Sequence, residues 1–283
     1  MTRGGDERYP TLAAELAAAV GNAGREADGV DAETRGEDRY APADDEAQAV
    51  PAVPAANPRG KAKPRAKKRK GGRRLFQHDR ALGVRWVAGA DEAGRGSLAG
   101  PLVAAAVLFD YENLGPREVR ALSLLNDSKQ HTEEAREALY PIVMRIATRV
   151  TVVSRSAGGI DARGLHKTNL AALRESLLKV AVGRDGVLCL SDGFRVGDLE
   201  GRTGKAIVDG DCKSAAIAAA SIVAKVTRDR FMHRADARHP GWDFAAHVGY
   251  STPEHRDAIH RNGVSPLHRL SFQSAAYARL AQH

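Results

Sequence analysis

Apolar runs of strand length alternate with longer amphipathic runs from about Leu75 onward, while the residues before it show almost no apolar periodicity. The runs Val84 to Ala90 and Leu102 to Phe109 read as two strands separated only by a Gly-rich turn, which predicts an antiparallel hairpin. Thr132 to Ala147 has a helical pattern interrupted by Pro141, so a kink or break is expected there. Arg149 to Ser154 is a β-branched strand, and Asp161 is placed to cap a helix running to about Val182. Strands are expected at Val187 to Ser191 and Ala206 to Val208. The stretch Ser214 to Met232 predicts a long helix so rich in Ala that something must pack closely against it. Thr252 and Pro253 then supply an N-cap and a first-turn proline for a helix ending near Gly263. Strands followed by packed helices predict an α/β domain with a mixed sheet and a helical C-terminal part.

Composition divides the chain further. Residues 1–57 are dominated by Ala, Gly, Asp, Glu and Pro, with little to bury, and are expected to be disordered apart from a marginal helix around Thr11 to Val20. Residues 58–74 are a solvated basic arm. The folded body is then residues 75–283. The first segment holds 5 Lys/Arg against 12 Asp/Glu and the arm 10 basic residues and no acid, so the body keeps +5 of the overall +8. A mildly basic body permits a polyanionic partner without demanding one. Cys189 and Cys212 cannot build a disulfide framework, and neither has ligand-like spacing around it. No apolar run approaches membrane-spanning length, and the N-terminus lacks the pattern of a signal peptide. The reading is a soluble, cytoplasmic protein without a membrane partner.

The acids are the informative residues, because a carboxylate among apolar neighbours is costly unless a cation or hydrogen bonds compensate it. Asp91 and Glu92 close the first strand, Asp192 closes VLCLS, and Asp211 precedes the Ala-rich helix. Adjacent strand residues point to opposite faces, so Asp91 and Glu92 share a site only if the strand ends or bulges there. Acids at strand ends without Cys or His nearby favour Mg2+ or Mn2+ over zinc, and such a cluster suits two-metal displacement at a phosphodiester. Ordinary turn chemistry explains a single strand-end Asp equally well. Asp209, followed by Gly210, is read as such a turn, and Asp229 as a salt-bridge partner on its helix.

The segments GADEAGRGSLAGPLVAAAV, NDSKQHT, SDGF, GDCKSAAIAAASIVAKVTRDR and GYSTPEH, in this order, resemble the ribonuclease HII family over roughly residues 84–272. The resemblance implies a ribonuclease H-like fold with a five-stranded mixed sheet. It also implies a metal site of four carboxylates, carried onto Asp91, Glu92, Asp192 and Asp211. Gly94, Arg95 and Gly96 match a turn that reads the ribose 2′-hydroxyl, the group that distinguishes RNA from DNA. Tyr250 matches a tyrosine beneath the sugar next to the ribonucleotide, Lys129 a lysine near the scissile phosphate, and Ser214 a contact to a nucleic-acid phosphate. Ser97 stands where proline is common and is expected to loosen the turn slightly. The implied function is hydrolysis of the RNA strand of RNA–DNA hybrids and nicking 5′ of ribonucleotides in duplex DNA, by a monomer using Mn2+ or Mg2+. Ribonuclease HIII is the nearest competitor, disfavoured because the tail cannot fold as a substrate-binding domain. A non-catalytic nucleic-acid-binding protein acting through the basic arm is the alternative from a different class.

Overall fold

In a computed structural model the described residues are 71–125, 131–272 and 277. The acidic tail, most of the basic arm and Lys129 lie outside them.

Five strands, β1 (Trp86–Ala93), β2 (Leu102–Asp110), β3 (Arg149–Arg155), β4 (Leu188–Asp192) and β5 (Gly204–Ile207), form one sheet in the order β3-β2-β1-β4-β5. β1 pairs antiparallel with β2, and β2 with β3, whereas β4 runs parallel to both β1 and β5. The sheet is mixed, as the alternation of runs predicts. The described helices are α1 (Arg73–Arg80), α2 (Pro116–Ala121), α3 (Glu133–Ile146), α4 (Ala157–Arg163), α5 (Leu165–Val180), α6 (Ala215–Arg238), α7 (Phe244–His247) and α8 (Pro253–Asn262).

Both sheet faces are covered. Val87, Ala105, Val107, Phe109, Leu188 and Leu190 pack with the Ala-rich α6, and with α1 and α3, into one apolar cluster. On the other face Ala88, Ala90, Ala104, Ala106, Leu108 and Cys189 pack against Leu173, Leu177 and Val180 of α5. Cover on both sides explains why β2 is buried at every position and reads as a continuous apolar run. The close packing expected of α6 is against β1. A Cβ on Gly89 would lie 2.7 Å from the Ala216 carbonyl oxygen, so this strand position must be glycine for the helix to seat. Beyond the sheet, α6 continues to meet α7, where Phe231, Met232, Ala235, Phe244 and Ala99 make a separate small core.

Several local expectations change. Pro141 lies inside α3 without ending it. Asp161 does not cap α5, because Gly164 intervenes at φ +81°; its carboxylate accepts from the Leu270 and Ser271 amides and pins the C-terminal segment. α1 begins at Arg73, inside the stretch assigned to the arm, and buries Leu75 and Phe76 beneath a polar, basic sequence that gives little helical signal. Ser214 and Thr252 do cap α6 and α8.

Candidate active site

Strand register decides which acids can meet. β1 pairs with β2 without a bulge through Ala93, while its pairing with β4 stops at Ala90 opposite Ser191. Alternation therefore holds at Asp91 and Glu92, contrary to the end or bulge that sharing one face requires. Asp91 follows Val87 and Gly89 onto the α6 face, and Glu92 follows Ala88 and Ala90 onto the α5 face. One step beyond the last β1–β4 pair, Asp192 follows Leu188 and Leu190 onto the same face as Asp91. β5 runs parallel beside β4, so the chain leaving it delivers the short turn Gly210–Cys212, with Asp211, to the same end of the sheet.

The site is electrostatically unfinished. Burial, then the negative charges of Glu92 and Asp192, push the Asp91 carboxyl well above the ordinary carboxylate range. A hydrogen bond from Ser221 of α6 and one from the Glu92 amide at 2.7 Å pull the other way, and no cation is among the groups that set it. Asp192 is held by the Gly210 amide, which donates to its Oδ1 at 2.7 Å. The donors are oxygens, which suits a hard divalent cation. Among the described residues, however, no group of three or more His, Cys, Asp or Glu stands ready to hold a metal ion. The sheet brings the acids to one end; it does not close them around a point.

The loop from Gly94 to Pro101 joins β1 to β2, and its two candidate glycines differ. Gly94 has φ +83°, and a Cβ there would fall within 2.7 Å of Arg228 Cζ, so glycine is required from inside the protein. A Cβ on Gly96 would meet nothing within 4 Å, so no internal contact explains it. Ser97 does not loosen the turn. Its buried hydroxyl donates to the Gly94 carbonyl at 2.9 Å and accepts from Arg228 at 2.7 Å. Arg228, fully buried on α6, also donates to the carbonyls of Pro101, Ala99 and Val248. Arg269 donates to those of Gly100 and Arg95. The Arg95 guanidinium lies 4.7 Å from the centre of the Phe194 ring.

Tyr250 is half-buried, with the Lys225 ammonium and the Arg228 guanidinium each 5.3 Å from its ring centre. Ser214 is a correction. It is fully buried, its hydroxyl donates to Asp79 at 3.0 Å and accepts from the Ile217 amide, and no phosphate can reach it. Asp79 also accepts from Tyr111 and the Ala216 amide, so this group anchors the start of α6. Asp209 occupies a left-handed turn, and Asp229 pairs with Lys225 at 2.6 Å and Arg136 at 3.6 Å. Sequence reasoning missed Ser221, Arg228 and Arg269. Little in the sequence marked them: Arg228 stands among other charged residues in KVTRDR, and only Arg269, between leucines in LHRLSF, sits in a partly apolar stretch.

A family model described as ribonuclease HII matches residues 88–275. The chain belongs to the ribonuclease HII family. The ribonuclease HII of Mycobacterium bovis is 47% identical over 186 residues, covering 66% of this chain and 67% of that one. That of Nocardia farcinica is 48% identical over 188 residues, covering 66% and 72%. Among solved structures, ribonuclease H2 from Pyrococcus horikoshii superposes with a TM-score of 0.58 at 25% identity, over 70% of this chain and 100% of that one. Membership makes the chain a ribonuclease H, an endonuclease acting on the RNA of RNA–DNA hybrids in a divalent-metal-dependent family. No helix among the described residues is long and apolar enough to cross a membrane.

Proposed function

We propose that Asp91, Asp192 and Asp211, joined by Glu92 reaching round the end of β1 from its other face, hold Mg2+ or Mn2+ at the C-terminal ends of β1 and β4, and that the enzyme nicks duplex DNA 5′ of single ribonucleotides as well as cutting hybrids. The observation that carries this is the buried Asp91 carboxyl, crowded by the charges of Glu92 and Asp192 on adjoining strand ends. Two bound ions would supply an activated water and stabilise the leaving oxygen. Water oxygen attacks phosphorus on the 5′ side of the ribonucleotide and the bond to O3′ breaks, leaving a 3′-hydroxyl upstream and a 5′-phosphate on the ribonucleotide.

The chain's own groups would position that phosphate. The Gly210 amide fixes Asp192, and Ser221 fixes Asp91. Gly94, Arg95 and Gly96 would offer main-chain groups to the 2′-hydroxyl, and the open space over Gly96 supports that close approach. Tyr250 would lie against the next sugar and favour deoxyribose there. Lys129 is proposed near the scissile phosphate on the resemblance alone. The basic arm before α1 would add salt-sensitive, sequence-independent binding; the deletion that tests it ends at residue 70, since α1 is part of the core.

The test is a duplex carrying one ribonucleotide, incubated with the protein and Mg2+ or Mn2+ beside an all-RNA hybrid. A nick 5′ of the ribonucleotide with 3′-hydroxyl and 5′-phosphate ends is expected. Hybrid cleavage without that nick would refute the single-ribonucleotide reading.

A further inference from the structure

Three histidines, His247 of α7, His255 of α8 and His268 of the C-terminal segment, lie buried together behind the Tyr250 turn. The His247 and His255 rings stack with centres 4.1 Å apart and 17° between planes, and His255 Nε2 lies 3.1 Å from His268 Nε2. The edge of Phe244 closes against His247 and His255. Such a trio invites a metal reading, but all six ring nitrogens are hydrogen-bonded to backbone or to one another.

The hydrogen bonds fix every proton. The Tyr250 carbonyl only accepts, so His255 Nδ1, 2.9 Å away, carries hydrogen and donates to it. A neutral His255 then accepts at Nε2, which makes His268 Nε2 the donor. His268 Nδ1 must accept, and the Ser265 amide donates to it at 2.8 Å. Likewise the Gly249 amide donates to His247 Nδ1 at 3.1 Å, leaving His247 Nε2 to donate to the Trp242 carbonyl at 2.7 Å. One tautomer at each ring satisfies all the contacts, and an added proton on His255 would set two N–H groups against each other.

The backbone that this network holds is strained. Val248, β-branched, sits at φ +42° and Gly249 at φ +81°, immediately before Tyr250. A left-handed valine persists only where its surroundings over-determine it, and such strain clusters at functional positions. Here the restraints come from both sides. The histidines hold the Gly249 amide and the Tyr250 carbonyl, while the Leu98 and Ala99 amides donate to the Gly249 carbonyl and tie the turn to the loop carrying Gly94 to Gly96.

We propose that His255 and His268 are positioning residues for Tyr250, a relay of neutral imidazoles that fixes the main chain of its turn and thereby the place of its ring beside the ribonucleotide. This rests on the reading of Tyr250 given above. Loosening the relay therefore alters substrate choice as well as rate. The ratio of kcat/KM on a single-ribonucleotide duplex to that on a continuous hybrid reports it, because loss of folded protein lowers both values equally and leaves the ratio unmoved.

The experiment compares His255→Leu, His255→Asn and Tyr250→Ala in the full-length protein. His255→Leu removes both hydrogen bonds and is expected to lower the ratio about tenfold, the scale of a small misplacement at a reacting centre. An asparagine amide stands where Nδ1 does and keeps the donor to the Tyr250 carbonyl but not the acceptor for His268, so His255→Asn is expected to recover the ratio in part, to a value between those of the leucine variant and the parent. A changed ratio in Tyr250→Ala with an unchanged one in folded His255→Leu overturns the relay alone; an unchanged ratio in Tyr250→Ala overturns the Tyr250 reading beneath it. Nitrogen NMR of the histidine side chains in the unmodified protein gives a measurement independent of variant folding. Neutral His255 protonated at Nδ1 and neutral His268 protonated at Nε2 are expected near pH 7, and the opposite tautomers or an imidazolium would overturn the proposal.

Discussion

Replacing each glycine of the 94–96 turn by alanine separates a residue needed by the fold from one needed by the substrate. In Gly94→Ala the new Cβ meets the Arg228 guanidinium, within 2.7 Å of its Cζ, on a backbone held at φ +83°. The left-handed conformation alone costs alanine about 1–2 kcal/mol. Arg228 can retreat only by giving up some of its bonds to Ser97, Ala99, Pro101 and Val248, at about 1 kcal/mol for each one lost. The sum is about 3–5 kcal/mol, and at about 2–4 °C per kcal/mol for a domain of this size the Tm should fall by roughly 10 °C or more. In Gly96→Ala the Cβ meets nothing within 4 Å and the backbone is not left-handed, so stability should stay within about 0.5 kcal/mol of the parent. Its cleavage of a ribonucleotide-containing duplex should nevertheless drop by about tenfold or more, since the methyl projects where a sugar would sit. Thermal unfolding beside initial-rate cleavage measures both. Equal melting losses in the two variants, or a Gly96→Ala enzyme with undiminished cleavage, would refute the reasoning.

Asp192→Asn should lose at least about a hundredfold in cleavage, on the scale of removing a charged group from a transition-state site, with little change in Tm. Its amide oxygen can still accept from the Gly210 amide; full activity would remove Asp192 from the site. Gly89→Ala should destabilise by about 1–3 kcal/mol or more through overpacking against the α6 backbone, read as a lower urea midpoint, and an unchanged midpoint would mean that β1 and α6 are not in that contact. Burial depresses His255 and His268 to about 4, so the unfolded chain binds more protons between about pH 6.5 and 4. Stability should accordingly be intact above pH 6.5 and fall through that window, by on the order of 3 kcal/mol for the first proton forced onto the pair. A His255→Leu, His268→Leu double variant should flatten the dependence, and an unaltered profile would assign the acid loss elsewhere.

The sequence by itself determined the class of sheet, the succession of its strands along the chain and the pairing of the first two, the caps at Ser214 and Thr252, and the acids at strand ends. These are local properties: a two-residue or 3.6-residue period, a hydroxyl before a helix, a charge after an apolar run. The run of motifs in order also identified the family, because each motif needs its residue types at fixed spacing. The tertiary structure alone decided which acids share a face. Asp91 and Asp192 do so because β4 pairs parallel to β1 in a register that no local signal encodes, and Glu92 does not because β2 holds β1 regular through Ala93. It likewise turned Ser214 from a substrate contact into a buried cap, since Asp79 arrives from a helix 135 residues earlier. It also gave Gly94 its reason in Arg228. A long-range contact adds its constraint only once the chain has folded, so a residue whose role lies in such a contact looks ordinary in sequence.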